Sequence, residues 1–290
     1  MIKMVVSDMD GTLLNKYGRI SQGNLAAIGR LRDQGVEFAI ASGRDHYGVY
    51  SILDKYGIRC EAILGNGSQY EDADGNLLMT CYMDKKVVKE VAKIFADRGI
   101  PYMIFTTNGF YTGWEPSFVR EEFITRSSKR FDRDRKDFEK GGRNEYMPCN
   151  QLQKIEDFDE FLGRDLEIIK VEAFAMSAGT CGEAREALKR SPDISCLSSF
   201  EDNIEVTDKA AQKGYILEKV IRMKGLSKEQ VMVIGDGMND LSLFQCFPIS
   251  FAPANAQATI KELAKELVGD CEEDGFAQAV DRLLGSGEAS

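Results

Sequence analysis

A short apolar run that ends in an acidic turn occurs near each end of the chain, and this repetition limits the folds open to it. Val5-Val6-Ser7 runs into Asp8-Met9-Asp10-Gly11-Thr12, and Val231-Met232-Val233-Ile234 runs into Gly235-Asp236-Gly237-Met238-Asn239-Asp240. Apolar runs of this length, bounded by turn residues, read as strands buried on both faces. After the first, Ser21 offers an N-cap to a helix carrying Leu25, Ile28 and Leu31; residues 36–41 form a second strand, and Ala62-Ile63-Leu64 a third. A β-α-β-α-β order calls for a parallel sheet with crossover helices on its faces. Tyr70 and Leu77-Leu78, on either side of Asp74-Gly75-Asn76, predict a hairpin that closes this part.

The middle has another texture. The pattern predicts an amphipathic helix over 84–98, strands over 102–105 and 167–175, and a helix over 182–190. From Cys196 the α/β rhythm returns, with strands over 204–206, 231–234 and 249–251 and helices over 211–223, 240–246 and 275–284. The expected fold is α/β. A Rossmann-like parallel-sheet core takes residues 1–83 and 192–290, and an α/β domain over 84–191 is inserted into it. A chain of 290 residues with 43% hydrophobic content can fill two such cores.

Composition then removes several chemistries. His46 is the single histidine, so no multi-histidine zinc site can form, a histidine general base would have to be that residue, and carboxylates are the expected workers if the chain is an enzyme. The formal charge of −10 argues against a nucleic acid polymer or an acidic membrane surface as partner, because polyphosphates are held by clustered cations. No stretch approaches the roughly 18 apolar residues of a membrane span. Met1-Ile2-Lys3-Met4 passes directly into a strand pattern, so the expected location is the cytoplasm. Seven cysteines with no Cys-x-x-Cys pair fit reduced thiols.

Four segments sit where a strand ends or a helix begins, the edge at which open parallel sheets bind ligands. Asp8 and Asp10, two apart on extended chain, point the same way and repel unless a cation or a shared proton lies between them. Hard oxygen ligands without histidine favour Mg²⁺. Ala41-Ser42-Gly43-Arg44 places a hydroxyl and a glycine at a helix entrance suited to a phosphate oxygen. Lys213, early in a helix, offers a point charge to a phosphoryl group, and Asp236 a further metal oxygen. Taken singly, Asp10-Gly11 is a common turn, Ser42 a cap, Lys213 a surface lysine and Asp240 a helix-start carboxylate. Their ordered combination is what points to chemistry.

That ordered set resembles the haloacid dehalogenase superfamily of phosphohydrolases. Asp8-Met9-Asp10-Gly11-Thr12-Leu13-Leu14 is similar to its first motif, Ser42-Gly43-Arg44 to the second, Lys213-Gly214 to the third, and Gly235-Asp236-Gly237-Met238-Asn239-Asp240 to the fourth. The large insert, with Asn66-Gly67 just before it, is similar to the Cof-like subgroup with a C2B-type cap. Departures are Val206-Thr207-Asp208, where relatives often carry a proline-glycine turn, and Ala254 before Asn255, where a glycine is common. For Asn255 the resemblance implies nothing beyond shaping the rim.

The resemblance implies a Mg²⁺-dependent phosphatase of a small phosphorylated metabolite such as a sugar phosphate, nucleotide or cofactor phosphate. Asp8 would be the nucleophile that forms an aspartyl-phosphate, and Asp10 the general acid and base. Metal would be held by Asp8, the backbone carbonyl of Asp10, and Asp236. Ser42, Lys213, Asn239 and the backbone amides of Met9 and Gly43 would hold phosphoryl oxygens, with Thr12, Arg44 and Asp240 in support. An aspartate at position 10, where ion-pumping relatives have threonine, favours release to water. A phosphomutase and a non-catalytic phosphometabolite-binding regulator are the alternatives.

Substrate choice would fall to the inserted domain. Residues 126–143, rich in Lys, Arg, Asp and Glu, are either a solvated mixed-charge surface or a cationic lip that attracts anions. His46 is either a surface residue at a helix start or part of the site's rim.

Overall fold

The computed structural model describes residues 1–131, 134–136, 147–175, 178–199 and 202–285. The chain divides into two compact units, Met1–Thr80 with Gln212–Ser290, and Cys81–Ala211. In chain order the first unit begins with β1 (Met4–Ser7), α1 (Gln22–Asp33), β2 (Glu37–Ala41), α2 (His46–Leu53), β3 (Glu61–Leu64), β4 (Gln69–Glu71) and β5 (Leu77–Thr80). The second unit follows with α3 (Lys85–Ala96), β6 (Tyr102–Thr106), β7 (Gly109–Thr112), α4 (Pro116–Phe131), β8 (Leu152–Lys154), α5 (Phe158–Leu162), β9 (Ile168–Phe174), α6 (Ala178–Leu188), β10 (Ile194–Leu197) and β11 (Asn203–Asp208). The chain then returns to the first unit with α7 (Lys213–Met223), β12 (Val231–Ile234), α8 (Leu241–Cys246), β13 (Ile249–Pro253), α9 (Ala258–Leu263), β14 (Glu266–Val268) and α10 (Gly275–Gly285).

Among the described residues the first unit's sheet has the order β14-β13-β12-β1-β2-β3-β4-β5. Neighbours from β14 through β3 are parallel, and β4 and β5 add the expected antiparallel hairpin. From β1 the chain proceeds outward through β2 and β3, and it returns to β1's other side as β12. The strand order therefore reverses beside β1, the place where such sheets open a binding crevice. Ser7 pairs with both Ile40 and Ile234, so the loops after β1, β2 and β12 leave the sheet at one level.

Local chemistry accounts for these elements. The side-chain oxygen of Ser21 caps α1 by accepting from the Asn24 amide at 3.0 Å, and that of Asp45 caps α2 by accepting from Gly48 at 2.8 Å. The central strands are buried on both faces: Val5, Ile40, Val233 and Ile234 have no exposed surface. Each such side chain stabilises by about 1.5–3 kcal/mol, whereas an uncompensated buried charge costs several kcal/mol. Charges drawn in beside these strands must therefore be paired.

The second unit carries a sheet of order β10-β11-β9-β6-β7-β8, antiparallel except between β7 and β8. Here the structure corrects the sequence-based boundary. Residues 192–211, expected in the parallel core, supply β10 and β11; β10 pairs with β11 and β11 with β9, so the second unit runs from Cys81 to Ala211. Ile204-Glu205-Val206 is strand as expected, but it joins the other sheet. The helix expected over 182–190 begins four residues earlier, at Ala178.

One face of this sheet packs against Val88, Val91, Phe95, Ala184 and Leu188 of α3 and α6. The other holds a buried charge network. Lys170 Nζ donates to Glu172 at 2.9 Å and to Glu205 at 2.8 Å, and Arg126 forks onto Asp202 with its ring-facing side over Phe174. Arg126 is 7% exposed, so it is a packed ion pair and no part of a cationic lip. Much of the remaining charged stretch, at 132–133 and 137–146, lies outside the described residues. No helix among the described residues is long and apolar enough to cross a membrane.

Candidate active site

All four sequence-predicted segments meet at the carboxyl edge of the parallel sheet. Asp8 follows β1 directly, and its backbone N–H donates to Ile234 O at 2.9 Å, which ties it to β12. Ser42 follows β2, and Asp236 lies two residues beyond β12. Lys213 opens α7 and is fully buried.

The close crossing of α7 and α8 sets where that lysine goes. Gly214 N donates to Ser242 Oγ at 2.9 Å, and a Cβ at 214 would stand 2.1 Å from the Ser242 carbonyl oxygen. Only glycine permits this approach. As a result Lys213 Nζ donates to Asp240 Oδ1 at 2.6 Å and to Asp8 Oδ1 at 2.7 Å.

Asp240 also organises its own turn, since its Oδ2 accepts from the amides of Asp236 at 2.9 Å and Gly237 at 3.0 Å. Thr12 Oγ1 donates to Asp236 Oδ1 at 3.1 Å, which links the first and fourth segments. Gly11 makes room for that link: its φ is +78°, and a Cβ there would lie 2.5 Å from Asp236 Oδ2. Asp8, Asp236 and Asp240 each offer a carboxylate oxygen within 4.8 Å of the others.

Electrostatics follow from this crowding. Burial pushes the Asp8 carboxyl up to about 7, with Lys213 opposing and Asp240 reinforcing the shift. Burial also raises Asp236 well above the ordinary carboxylate range, aided by the charges of Asp8 and Asp240. Burial favours loss of the Lys213 proton, but the two carboxylates outweigh it and its pKa rises, so the ammonium stays charged. An all-oxygen donor set, in which Asp240 raises the pKa of Asp8 and both raise that of Asp236, fits a hard divalent cation such as Mg²⁺.

Asp10 points elsewhere. Its two carboxylate oxygens accept from Arg44 Nε and one terminal guanidinium nitrogen, each at 2.7 Å, and the other terminal nitrogen of Arg44 donates to Gly48 O at 3.2 Å. Its carboxylate is half-exposed, unlike that of Asp8. A carboxylate set apart from the acidic cluster and still reachable by solvent suits proton exchange better than metal binding.

Ser42 is buried and its Oγ accepts from the Arg44 amide at 3.2 Å across Gly43, which forms the tight entrance to α2. Met9 directly follows Asp8, with its side chain in the core. Asn239 Nδ2 donates to Asn66 Oδ1 at 3.2 Å. His46 opens α2, and its Nδ1 lies 2.7 Å from Glu71 Oε2 of β4.

Two asparagines carry more than the sequence reading gave them. Asn66, left-handed at φ 59° and fully buried, holds Asn239; the Asn-Gly pair after a strand was its signal. Asn255 Nδ2 donates to Gly11 O at 2.8 Å, a contact between residues 244 apart that no local pattern announces.

Similarity to known proteins agrees with this arrangement. Residues 5–280 match the family described as haloacid dehalogenase-like hydrolase. The phosphatase YwpJ of Bacillus subtilis is 25% identical over 286 residues, covering 98% of this chain and all of that protein. The 5-amino-6-(5-phospho-D-ribitylamino)uracil phosphatase YwtE of the same organism is 26% identical over 284 residues, covering 98% of each chain. A solved haloacid dehalogenase-like hydrolase from B. subtilis superimposes with a TM-score of 0.85 at 24% identity, covering 97% of this chain and all of that one. The chain belongs to the haloacid dehalogenase-like hydrolases, as a phosphohydrolase of the Cof-like kind.

Proposed function

We propose that the protein is a Mg²⁺-dependent phosphatase of a small phosphorylated metabolite, working through an aspartyl-phosphate on Asp8. The observation that carries this reading is the buried Asp8 carboxylate, held through Oδ1 by Lys213 beside Asp236 at the carboxyl edge of the sheet.

Asp8 attacks phosphorus as the bond to the leaving oxygen breaks, and Asp10 gives its proton to that oxygen. Asp10, now ionised, takes a proton from water as the water attacks the phosphoryl group and frees Asp8. In this structure both Asp10 oxygens accept from Arg44, which favours the ionised carboxylate, so Asp10 turns from Arg44 and takes up a proton from solvent before it acts as the acid. Ser42, Lys213, Asn239 and the amides of Met9 and Gly43 hold the phosphoryl oxygens, and Asp240 keeps the lysine in place. Asp8, Asp236 and the backbone carbonyl of Asp10 would hold Mg²⁺, which would supply positive charge to offset the negative charge shared by nucleophile and phosphate.

Leaving-group selectivity belongs in this reading to the second unit. The name of one relative, the 5-amino-6-(5-phospho-D-ribitylamino)uracil phosphatase, supports a phosphate ester on a sugar-like carbon as the substrate class. Purified protein should release phosphate from an aryl phosphate with Mg²⁺ and not with EDTA, and Asp8→Asn should abolish release. Turnover without metal, or an active Asp8→Asn variant, would overturn the mechanism. A panel of phosphorylated metabolites assayed in the same way identifies the substrate.

A further inference from the structure

The turn after β13 touches both acidic loops. Asn255 Nδ2 donates to Gly11 O at 2.8 Å, and the Gln257 amide donates to Asp236 O at 2.9 Å. Asn255 is itself oriented, because its Oδ1 accepts from the Cys271 amide at 2.9 Å. That bond requires oxygen on one side of the side chain, so the donor side must face Gly11.

Holding Gly11 O fixes the plane of the Gly11–Thr12 peptide. The Thr12 hydroxyl leaves this peptide to meet Asp236 Oδ1 at 3.1 Å, and Gly11 packs against the same carboxylate. The four-residue turn 254–257 therefore ties the loop of Asp8 to the loop of Asp236.

Asn24 makes a parallel bridge, from Leu13 O at 3.1 Å to the Ala277 amide at 3.1 Å, and the comparison separates stability from placement. Asn24 is fully buried, so its removal would strand two backbone groups away from water, and its role is structural. Asn255 is exposed, so water can replace both of its bonds and little stability depends on it. What water cannot replace is a fixed direction.

Resting on the phosphatase reading above, we propose that Asn255 is a positioning residue, which acts through Gly11 and Thr12 to set Asp236 against Asp8 for metal binding and transfer. Outer groups of this kind typically govern about 10–100-fold in metal affinity or activity. Asn255→Asp removes the donor while keeping the shape and the Cys271 contact, and it puts a carboxylate oxygen against Gly11 O; Asn255→Ala removes both bonds.

The test is titration calorimetry with Mg²⁺ alone, together with kcat and KM on an aryl phosphate and melting of the EDTA-treated protein. The expected result for both variants is about tenfold weaker Mg²⁺ binding and about tenfold lower kcat, with KM and the metal-free Tm close to wild type. Wild-type Mg²⁺ affinity in both variants would overturn the proposal, as would a loss of affinity matched by a collapse in Tm. A wild-type protein that binds Mg²⁺ but releases no phosphate would count against the phosphatase reading, while the calorimetric arm still decides the role of Asn255.

Discussion

The Lys213 ammonium lies 2.7 Å from Asp8 Oδ1, and neither side chain is open to solvent, with 0% and 7% exposure. This pair orients the carboxylate and also compensates its charge. The same ammonium serves Asp240, so one cation offsets two buried anions and a third, Asp236, stands close by. The cluster carries an excess of negative charge, and its behaviour follows from that excess.

Replacing Lys213 with Met removes the only cation bonded to Asp8 among the described residues. Loss of one partner of a buried pair costs about 3–5 kcal/mol. The metal-free variant should therefore melt well below wild type near neutral pH, and kcat should fall at least about 100-fold. Lys213→Arg should not restore activity, because a planar fork does not fit a slot shaped for a single ammonium. Thermal melts and steady-state kinetics check both points.

Asp10→Asn should lower kcat by about 100-fold or more while vanadate binding stays near wild type, since a general acid and base contributes about 100–10,000-fold. Arg44→Lys should shift the pH dependence of kcat, because one ammonium cannot make the two 2.7 Å bonds that hold Asp10 as a carboxylate. Kinetics combined with vanadate titration separate chemistry from binding.

The metal-free protein should lose stability as pH rises. Asp8 titrates at about 7 in the fold against an ordinary 3.8, and Asp236 is shifted the same way. Between those values the folded chain holds a proton that the unfolded chain has released. The stabilisation is complete below about pH 4 and is lost as pH climbs through about 7. Mg²⁺ replaces that proton as the compensating charge, so the rise in Tm on adding Mg²⁺ should grow between about pH 5 and about pH 8. Melts in EDTA and in Mg²⁺ across this range test the sign.

Gly11→Ala should weaken Mg²⁺ binding and destabilise the protein by about 1–3 kcal/mol, from the cost of a left-handed backbone and the contact with Asp236. Gly29→Ala is the control. Gly29 lies within α1 with nothing within 4 Å of the added carbon, and the change should stabilise by about 0.5–1 kcal/mol. Denaturant melts of the two variants should move in opposite directions.

The sequence alone determined the parallel core and the ordered acidic segments, because both depend on short-range chemistry. The apolar run of β1 must be buried, Ser21 must cap α1, and Asp8, Ser42 and Asp236 must follow their strands because chain order puts them there. In a parallel sheet all these positions fall on one edge. Tertiary structure alone decided which sheet 192–211 would join, since only the pairing of β11 with β9, with β10 added beyond β11, settles it. It also decided that Arg126 turns inward to Asp202, that Asp10 is held by Arg44 apart from the acidic cluster, and that Asn255 reaches Gly11. Each of these contacts joins residues at least 34 positions apart, and their direction is set by packing that no local pattern encodes.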